Sequence, residues 1–246
     1  DNIHDGYLFM ATKHGLVKKT PLSEFKNLRK SGLIAINLRE GDELLKVKVT
    51  RGDADIIIVS QEGNAIKFNE QDVRPMGRTA SGVKSMKLRE NDIAVCMDIA
   101  VDDEELLVIS ENGYGKRTPV SEYKRQNRGG IGLITYKISE KTGKVVGAIV
   151  CKNDDELMLI NTSGIAIRIN VSDISVTSRS AMGVRLMRTS EEEKVVAIAK
   201  IAKTGDEEKD EQLSLEACAD NEVVEANKDT SLDRLVEESQ KEETEE

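Results

Sequence analysis

The chain has 246 residues, 38% of them hydrophobic and 33% charged, which is enough to bury a core in one large domain or two ordinary ones. Its net charge of −9 is uneven: residues 204–246 hold 17 acidic side chains against Lys209, Lys228, Arg234 and Lys241, a net −13, so residues 1–203 stand at +4. Cys96, Cys151 and Cys218 are too far apart for a disulfide framework or a metal knuckle and suit a reducing cytoplasm. No apolar run of about 18 residues occurs and Asp1 to Asp5 has no signal-peptide character, so membrane and secretory classes are not expected; without an initiator Met, the chain is expected to be a fragment.

From the N-terminus, Leu8–Ala11 is a strand-length apolar run, followed after polar residues by Gly15 and a second strand. Gly32 then opens a third strand with Leu33 and Ile36, and Leu44 to Val49 reads as a fourth. The pattern repeats with Ile56–Val59, Gly63, Gly82 and Ile93 to Ile99, then with Leu106–Ile109, Gly113, Gly132 and Val145 to Val150. Leu157–Ile160, Gly164, Gly183 and Val195 to Ile201 make the last unit. A period of about fifty residues marks a repeat protein. Turns such as Ser60-Gln61-Glu62-Gly63 call for positive φ at the glycine. Each repeat is expected to form its own four-stranded sheet, and such sheets bury their faces by stacking radially, as in a propeller. The predicted fold is all-β with about four blades, over residues 6–51, 55–101, 104–151 and 156–203. The aromatic-free acidic segment 204–246 is predicted to be a disordered tail.

Four residues after each turn glycine stands a cation, Lys19, Lys67, Arg117 and Arg168, a recurrence predicted to place a basic stripe on one face, reinforced by Lys18 and Lys116. Loops between second and third strands add Lys26, Arg29, Lys30, Arg74, Arg78, Lys124, Arg125, Arg128 and Arg179. A curved basic rim suits bent duplex DNA, whose phosphates are about 1.7 Å apart along the axis and give salt-sensitive, sequence-independent affinity. Taken alone, any single Lys reads as solvent decoration; the recurrence at equal phase, not one residue, points to a site. With no Trp, three Phe and four Tyr, stacking on single-stranded bases is poorly supported. Tyr7 and Tyr136 lie in strand runs and Tyr114 beside a turn, so none is expected to be a nucleophile. His4 and His14 alone support no metal cluster or Ser/His/Asp arrangement, and Gly113-Tyr114-Gly115 reads as a turn. Asp102 to Glu105 and Asp154 to Glu156 read as solvated inter-blade loops. No catalytic or metal site is expected.

The segments Ala11-Thr12-Lys13-His14-Gly15-Leu16-Val17-Lys18-Lys19-Thr20, Gly113-Tyr114-Gly115-Lys116-Arg117-Thr118 and Val145-Val146-Gly147-Ala148 resemble the C-terminal domain of the bacterial DNA gyrase A subunit; so do Gly41-Asp42-Glu43-Leu44 and Ser172-Asp173-Ile174-Ser175. The resemblance covers residues 6 to 203 and implies a β-pinwheel whose blades exchange strands and whose basic rim wraps DNA. It further implies a non-catalytic part of an ATP-hydrolysing type II topoisomerase that introduces negative supercoils. Its partners would be duplex DNA, the gyrase B subunit, the rest of the A subunit in an A2B2 assembly, all in the bacterial cytoplasm at the nucleoid. ATP and Mg²⁺ would lie on other domains or subunits, with no cofactor here. The family usually has six blades, and the four found look like its last four. Gln126-Asn127-Arg128-Gly129-Gly130-Ile131-Gly132 resembles the family's hallmark box but lies in the third repeat, with Asn127 and Ile131 where cations are expected. It reads as a degenerate echo, so the chain alone is expected to wrap DNA weakly or not at all. The acidic tail resembles tails that compete with DNA for the rim; a purely solubilising tail is the alternative.

The related domain of topoisomerase IV, with fewer or broken blades, is the nearest rival. A protein-interaction propeller of the WD or kelch kind would carry Trp-Asp or Gly-Gly-aromatic signatures, which are missing.

Overall fold

The computed structural model describes residues 6–27, 30–190 and 192–201, so the acidic tail, Arg29 and His4 lie outside the described residues. The first repeat supplies β1 (Tyr7–Thr12), β2 (Leu16–Pro21) and β3 (Leu44–Thr50), and the second β4 (Asp55–Ser60), β5 (Asn64–Asn69), β6 (Val83–Lys84) and β7 (Ala94–Ile99). The third supplies β8 (Glu105–Ser110), β9 (Tyr114–Pro119), β10 (Leu133–Ile134) and β11 (Val145–Cys151). The fourth supplies β12 (Glu156–Asn161), β13 (Ala166–Asn170), β14 (Val184–Arg185) and β15 (Val195–Ile201). Helix among the described residues is confined to short 3-10 turns at Leu22–Phe25, Glu70–Asp72, Val120–Glu122 and Val171–Asp173. The protein is all-β, with four blades.

The first two strands of each repeat form an antiparallel hairpin closed by a short loop ending in glycine. At Ser60–Gly63, the Gly63 amide donates to the Ser60 carbonyl at 3.0 Å and Gly63 takes φ +78°.

The third strand does not stay with its own repeat. Sheet orders are β3-β1-β2-β6, β10-β5-β4-β7 and β11-β8-β9-β14, so repeats two, three and four each give a two-residue strand to the preceding sheet. This corrects the expectation that each repeat forms its own four-stranded sheet, and agrees with the strand exchange implied by the resemblance. Only three strands, β13-β12-β15, form the fourth sheet among the described residues, and the segment after Gly32 forms no strand.

The donated strand passes so close that the crossing fixes two glycines. A Cβ on Gly132 (φ +80°) would lie 2.4 Å from the Ala65 carbonyl oxygen, and one on Gly63 would lie 2.3 Å from that of Tyr136. In return the amides of Thr135 and Tyr136 donate to the Gly63 carbonyl at 2.9 and 3.1 Å.

The core lies between successive sheets. Phe9 and Val17 pack with Ile56 and Ile58; Ile57 and Val59 pack with Leu106 and Val108; Leu107 and Ile109 pack with Leu157 and Leu159. Adjacent residues of one strand face opposite neighbours, so a sheet covered on both sides needs an unbroken apolar run. Each such side chain contributes about 1.5–3 kcal/mol on full burial. In β12 the rule relaxes: Leu157 and Leu159 are buried while Met158 and Ile160 are half-buried, because no further sheet covers that face among the described residues. Strands β3, β7, β11 and β15 pack successively against one another at the inner edge, where Lys48 pairs with Asp98 at 2.8 Å. The donated strands β6, β10 and β14 stand at the opposite, outer edge.

Candidate nucleic-acid interface

The phased cations are not the expected surface stripe. Lys19, Lys67 and Arg117 are buried, and each points into the junction with the next repeat. Lys19 Nζ donates to the Glu70 carbonyl at 2.9 Å and pairs with its carboxylate at 3.7 Å. Lys67 Nζ pairs with Asp102 at 2.6 Å and reaches the Val120 carbonyl at 3.5 Å. Arg117 donates to the Ile174 carbonyl at 2.7 Å, to Asn153 at 2.9 Å and to Glu105 at 3.1 Å. A buried charge survives only with such partners. Backbone pairing reinforces each clasp, since the amides of Met76, Gln126 and Thr177 donate to the carbonyls of Lys19, Lys67 and Arg117. Arg168 has no following repeat over it among the described residues; its side chain is 62% exposed, against 5% for Arg117, and pairs with Glu156. The recurrence is therefore a structural signal: it marks where repeats are fastened.

Lys18 and Lys116 are also buried, on the other face of the same strands. Lys116 Nζ donates to the Ser178 carbonyl at 2.6 Å and to that of Arg179, and lies 5.8 Å from the Tyr136 ring centre. Lys18 Nζ donates to the Ala35 carbonyl at 2.5 Å and to that of Arg78. Burial holds Lys116 down to about 8, with Glu122 pulling it up and Arg179 pushing it lower. Burial and then Arg78 lower Lys18.

The loop cations fare differently. Lys26, Lys30, Arg74 and Lys124 are exposed, and Arg78, Arg128 and Arg179 are half-buried. Among the described residues none of the seven has a carboxylate within ion-pair distance. Arg125 is the exception in these loops, pairing with Asp55 at 2.8 Å. Arg78, Arg128 and Arg179 each fall fifteen residues after a turn glycine and occupy equivalent positions. Their guanidinium groups donate to the carbonyls of Ile34 (3.4 Å), Lys84 (3.0 Å) and Ile134 (3.3 Å) in the third-strand segment of the preceding repeat. The rim is thus stitched from each loop to the segment of the preceding repeat that follows its second glycine, with one arginine at each junction. Exposed Lys84, Lys87, Lys137 and Arg188 extend it without carboxylate partners among the described residues, while Arg185 bonds the Tyr114 hydroxyl at 2.7 Å. Sequence reasoning missed these five; the signal was present, since Lys87, Lys137 and Arg188 all stand twenty-four residues after a turn glycine.

The box-like segment Gln126 to Gly132 is the rim loop of the third repeat. Its Gly129 amide donates to Ser85 at 2.6 Å, its Gly130 carbonyl accepts from the Lys87 amide at 2.7 Å, and Arg128 also donates to the Asp72 carbonyl at 2.9 Å. Asn127 is exposed, and Ile131 projects outward at 55% exposure. The remaining titratable groups describe structure. Tyr123 and Tyr136 are buried, with burial raising both hydroxyls, Tyr123 to about 12. Among the described residues no group of three or more His, Cys, Asp or Glu could hold a metal ion.

Comparison with known proteins matches the family model described as the DNA gyrase C-terminal domain, beta-propeller, over residues 6–51, 54–95, 104–152 and 155–202. The DNA gyrase A subunit of Clostridium acetobutylicum is 63% identical over 204 residues, covering 83% of this chain and 25% of the relative. That of Halalkalibacterium halodurans is 58% identical, covering 86% and 25%. The chain thus spans about a quarter of the length of these relatives. A solved DNA gyrase A C-terminal domain is 32% identical with a TM-score of 0.73, covering 82% of this chain and 68% of that one. A solved C-terminal domain of DNA topoisomerase IV is 28% identical with a TM-score of 0.77, covering 82% and 63%.

Proposed function

Because the chain belongs to the DNA gyrase C-terminal domain family, we propose that it binds duplex DNA along the outer rim, bends it, and so serves as the wrapping element of a gyrase A subunit. The observation that carries this reading is the rim itself: cations recur at equivalent loop positions of successive blades and, among the described residues, lack the carboxylate partners that cations such as Lys48, Lys67 and Lys144 have. Unpaired cations on a curved edge follow a phosphate backbone, release its counterions and read no base. Bending a site of this size costs about 1–6 kcal/mol, which many phosphate contacts offset. In the assembled enzyme the wrap presents a crossed segment of the same duplex to the cleavage machinery. Strand cleavage, Mg²⁺ and ATP hydrolysis are assigned to the B subunit or to other domains of the A subunit, in an A2B2 complex working in the bacterial cytoplasm at the nucleoid.

Binding of a fluorescent duplex of roughly forty base pairs to the full chain, measured at several salt concentrations, tests the reading. Expected are affinities that do not depend on base sequence and that fall steeply with salt, with the slope reduced by about one for Arg74→Ala or Lys124→Ala. No binding at low salt overturns it. The topoisomerase IV domain's slightly higher TM-score supports a second reading, in which the rim orients DNA without wrapping it. Ligation of a nicked circle bound to the chain separates the two, since only wrapping changes the linking number.

A further inference from the structure

We infer that Lys116 and Lys18 are positioning residues for DNA binding: each is a buried tether that fixes the backbone of a rim loop at the arginine, Arg179 or Arg78, which that loop presents. The inference rests on the DNA-binding reading. Three observations carry it. Both lysines are fully buried, yet among the described residues neither has a carboxylate within ion-pair distance; their ammonium groups donate to loop carbonyls, those of Ser178 and Arg179 for Lys116 and those of Ala35 and Arg78 for Lys18. In both cases one acceptor is the carbonyl of the rim arginine itself, so the tether acts at the residue whose side chain faces outward. The middle junction has no tether and a different loop: the equivalent position is Ile66, and Gly130 packs over it, with a Cβ there 3.7 Å from the Ile66 Cδ1. Two loop designs therefore alternate, a Lys-tethered one and a Gly-Gly one lying on Ile66.

The arrangement stores like charge beneath the rim. Lys116 and Arg179 repel, as do Lys18 and Arg78, and this is one reason the lysines are held below their ordinary range. A phosphate docking on the arginine relieves that repulsion, which couples the buried lysine to the ligand it never touches.

A double-mutant cycle in the full chain tests the inference, with Lys116→Met, Arg179→Ala and the pair, and the same cycle at Lys18 and Arg78. The probe is the same duplex across a salt series. Each single substitution is expected to weaken binding three- to tenfold and to lower the salt slope by about one contact, with the double variant no weaker than Arg179→Ala alone. Amide hydrogen exchange of residues 177–181 without DNA is expected to quicken at least tenfold in Lys116→Met. Full additivity in both cycles, an unchanged salt slope in both Lys→Met variants, or their complete unfolding at the assay temperature each overturns the inference, since the lysines are then ordinary structural groups. If the wild-type chain binds no duplex, the DNA reading fails, and unaltered exchange in Lys116→Met separately refutes the tether.

Discussion

Replacing Gly63 by Ala tests strand donation against its own internal control, Gly164→Ala. Both glycines close the first hairpin of a repeat, with nearly equal backbone angles, φ +78° and φ +77°. An L side chain in that region costs about 1–2 kcal/mol, so this much destabilisation is common to both variants. They differ in surroundings: the new Cβ meets the Tyr136 carbonyl oxygen at 2.3 Å at position 63 and nothing within 4 Å at position 164. Relief of the clash at position 63 requires the donated strand to move off the hairpin, which sacrifices the bonds from Thr135 and Tyr136 to the Gly63 carbonyl. At about 0.5–1.5 kcal/mol each, these add about 1–3 kcal/mol. Gly63→Ala is therefore expected to lose about 2–5 kcal/mol and Gly164→Ala about 1–2 kcal/mol. Urea unfolding of the full chain followed by far-UV circular dichroism measures both. A difference below about 0.5 kcal/mol would refute the claim that the crossing strand, and not the turn, makes this glycine necessary.

Arg117→Met is expected to cost about 3–5 kcal/mol because it strips partners from Glu105 and two loop acceptors in a buried junction, whereas Arg168→Met costs about 0–1 kcal/mol; paired thermal melts distinguish them. Lys116, held down to about 8 in the folded chain, sheds its proton before an unfolded lysine does, so the unfolded state binds more protons between about 8 and its ordinary range near 10.5. Stability therefore rises with pH across that window, and the rise is missing in Lys116→Met when both are melted at pH values spanning it. Cys96 and Cys151 are buried and their thiols are pushed up to about 12, chiefly by burial; mass spectrometry after alkylation at mildly alkaline pH is expected to find both unmodified in the folded chain and both modified in denaturant.

The hairpins, the four inner strands and the buried apolar runs were legible in the sequence because each is set by local pattern: an alternating burial rule applied to two covered faces and a glycine at a positive-φ turn. Sheet membership was not. Val83–Lys84 carries no mark that its partners are Leu16 and Val17 and not a strand of its own repeat, since a two-residue pairing leaves almost no pattern. The same limit misdirected the site. Recurrence at Lys19, Lys67 and Arg117 was visible, but whether a repeated cation faces solvent or a neighbouring repeat depends on what lies across the junction, and periodicity alone serves fastening and ligand binding equally well. Arg78, Arg128 and Arg179 were identified as loop cations and their common phase is written in the sequence, yet their grip on the preceding repeat emerged only once the crossing strands were placed.

Strand donation also sets a timetable for synthesis. The first hairpin is complete once Pro21 has been made, but its outer neighbour is not translated until Lys84, and the second hairpin, ending at Asn69, waits for Ile134. From Pro21 onward a growing chain thus exposes at least one unpaired hairpin edge, and that edge moves toward the C-terminus as each new repeat emerges from the ribosome to cover the last. Slow decoding between Asn69 and Leu133 prolongs the second vacancy, and exposed edges are where strands pair with the wrong chain.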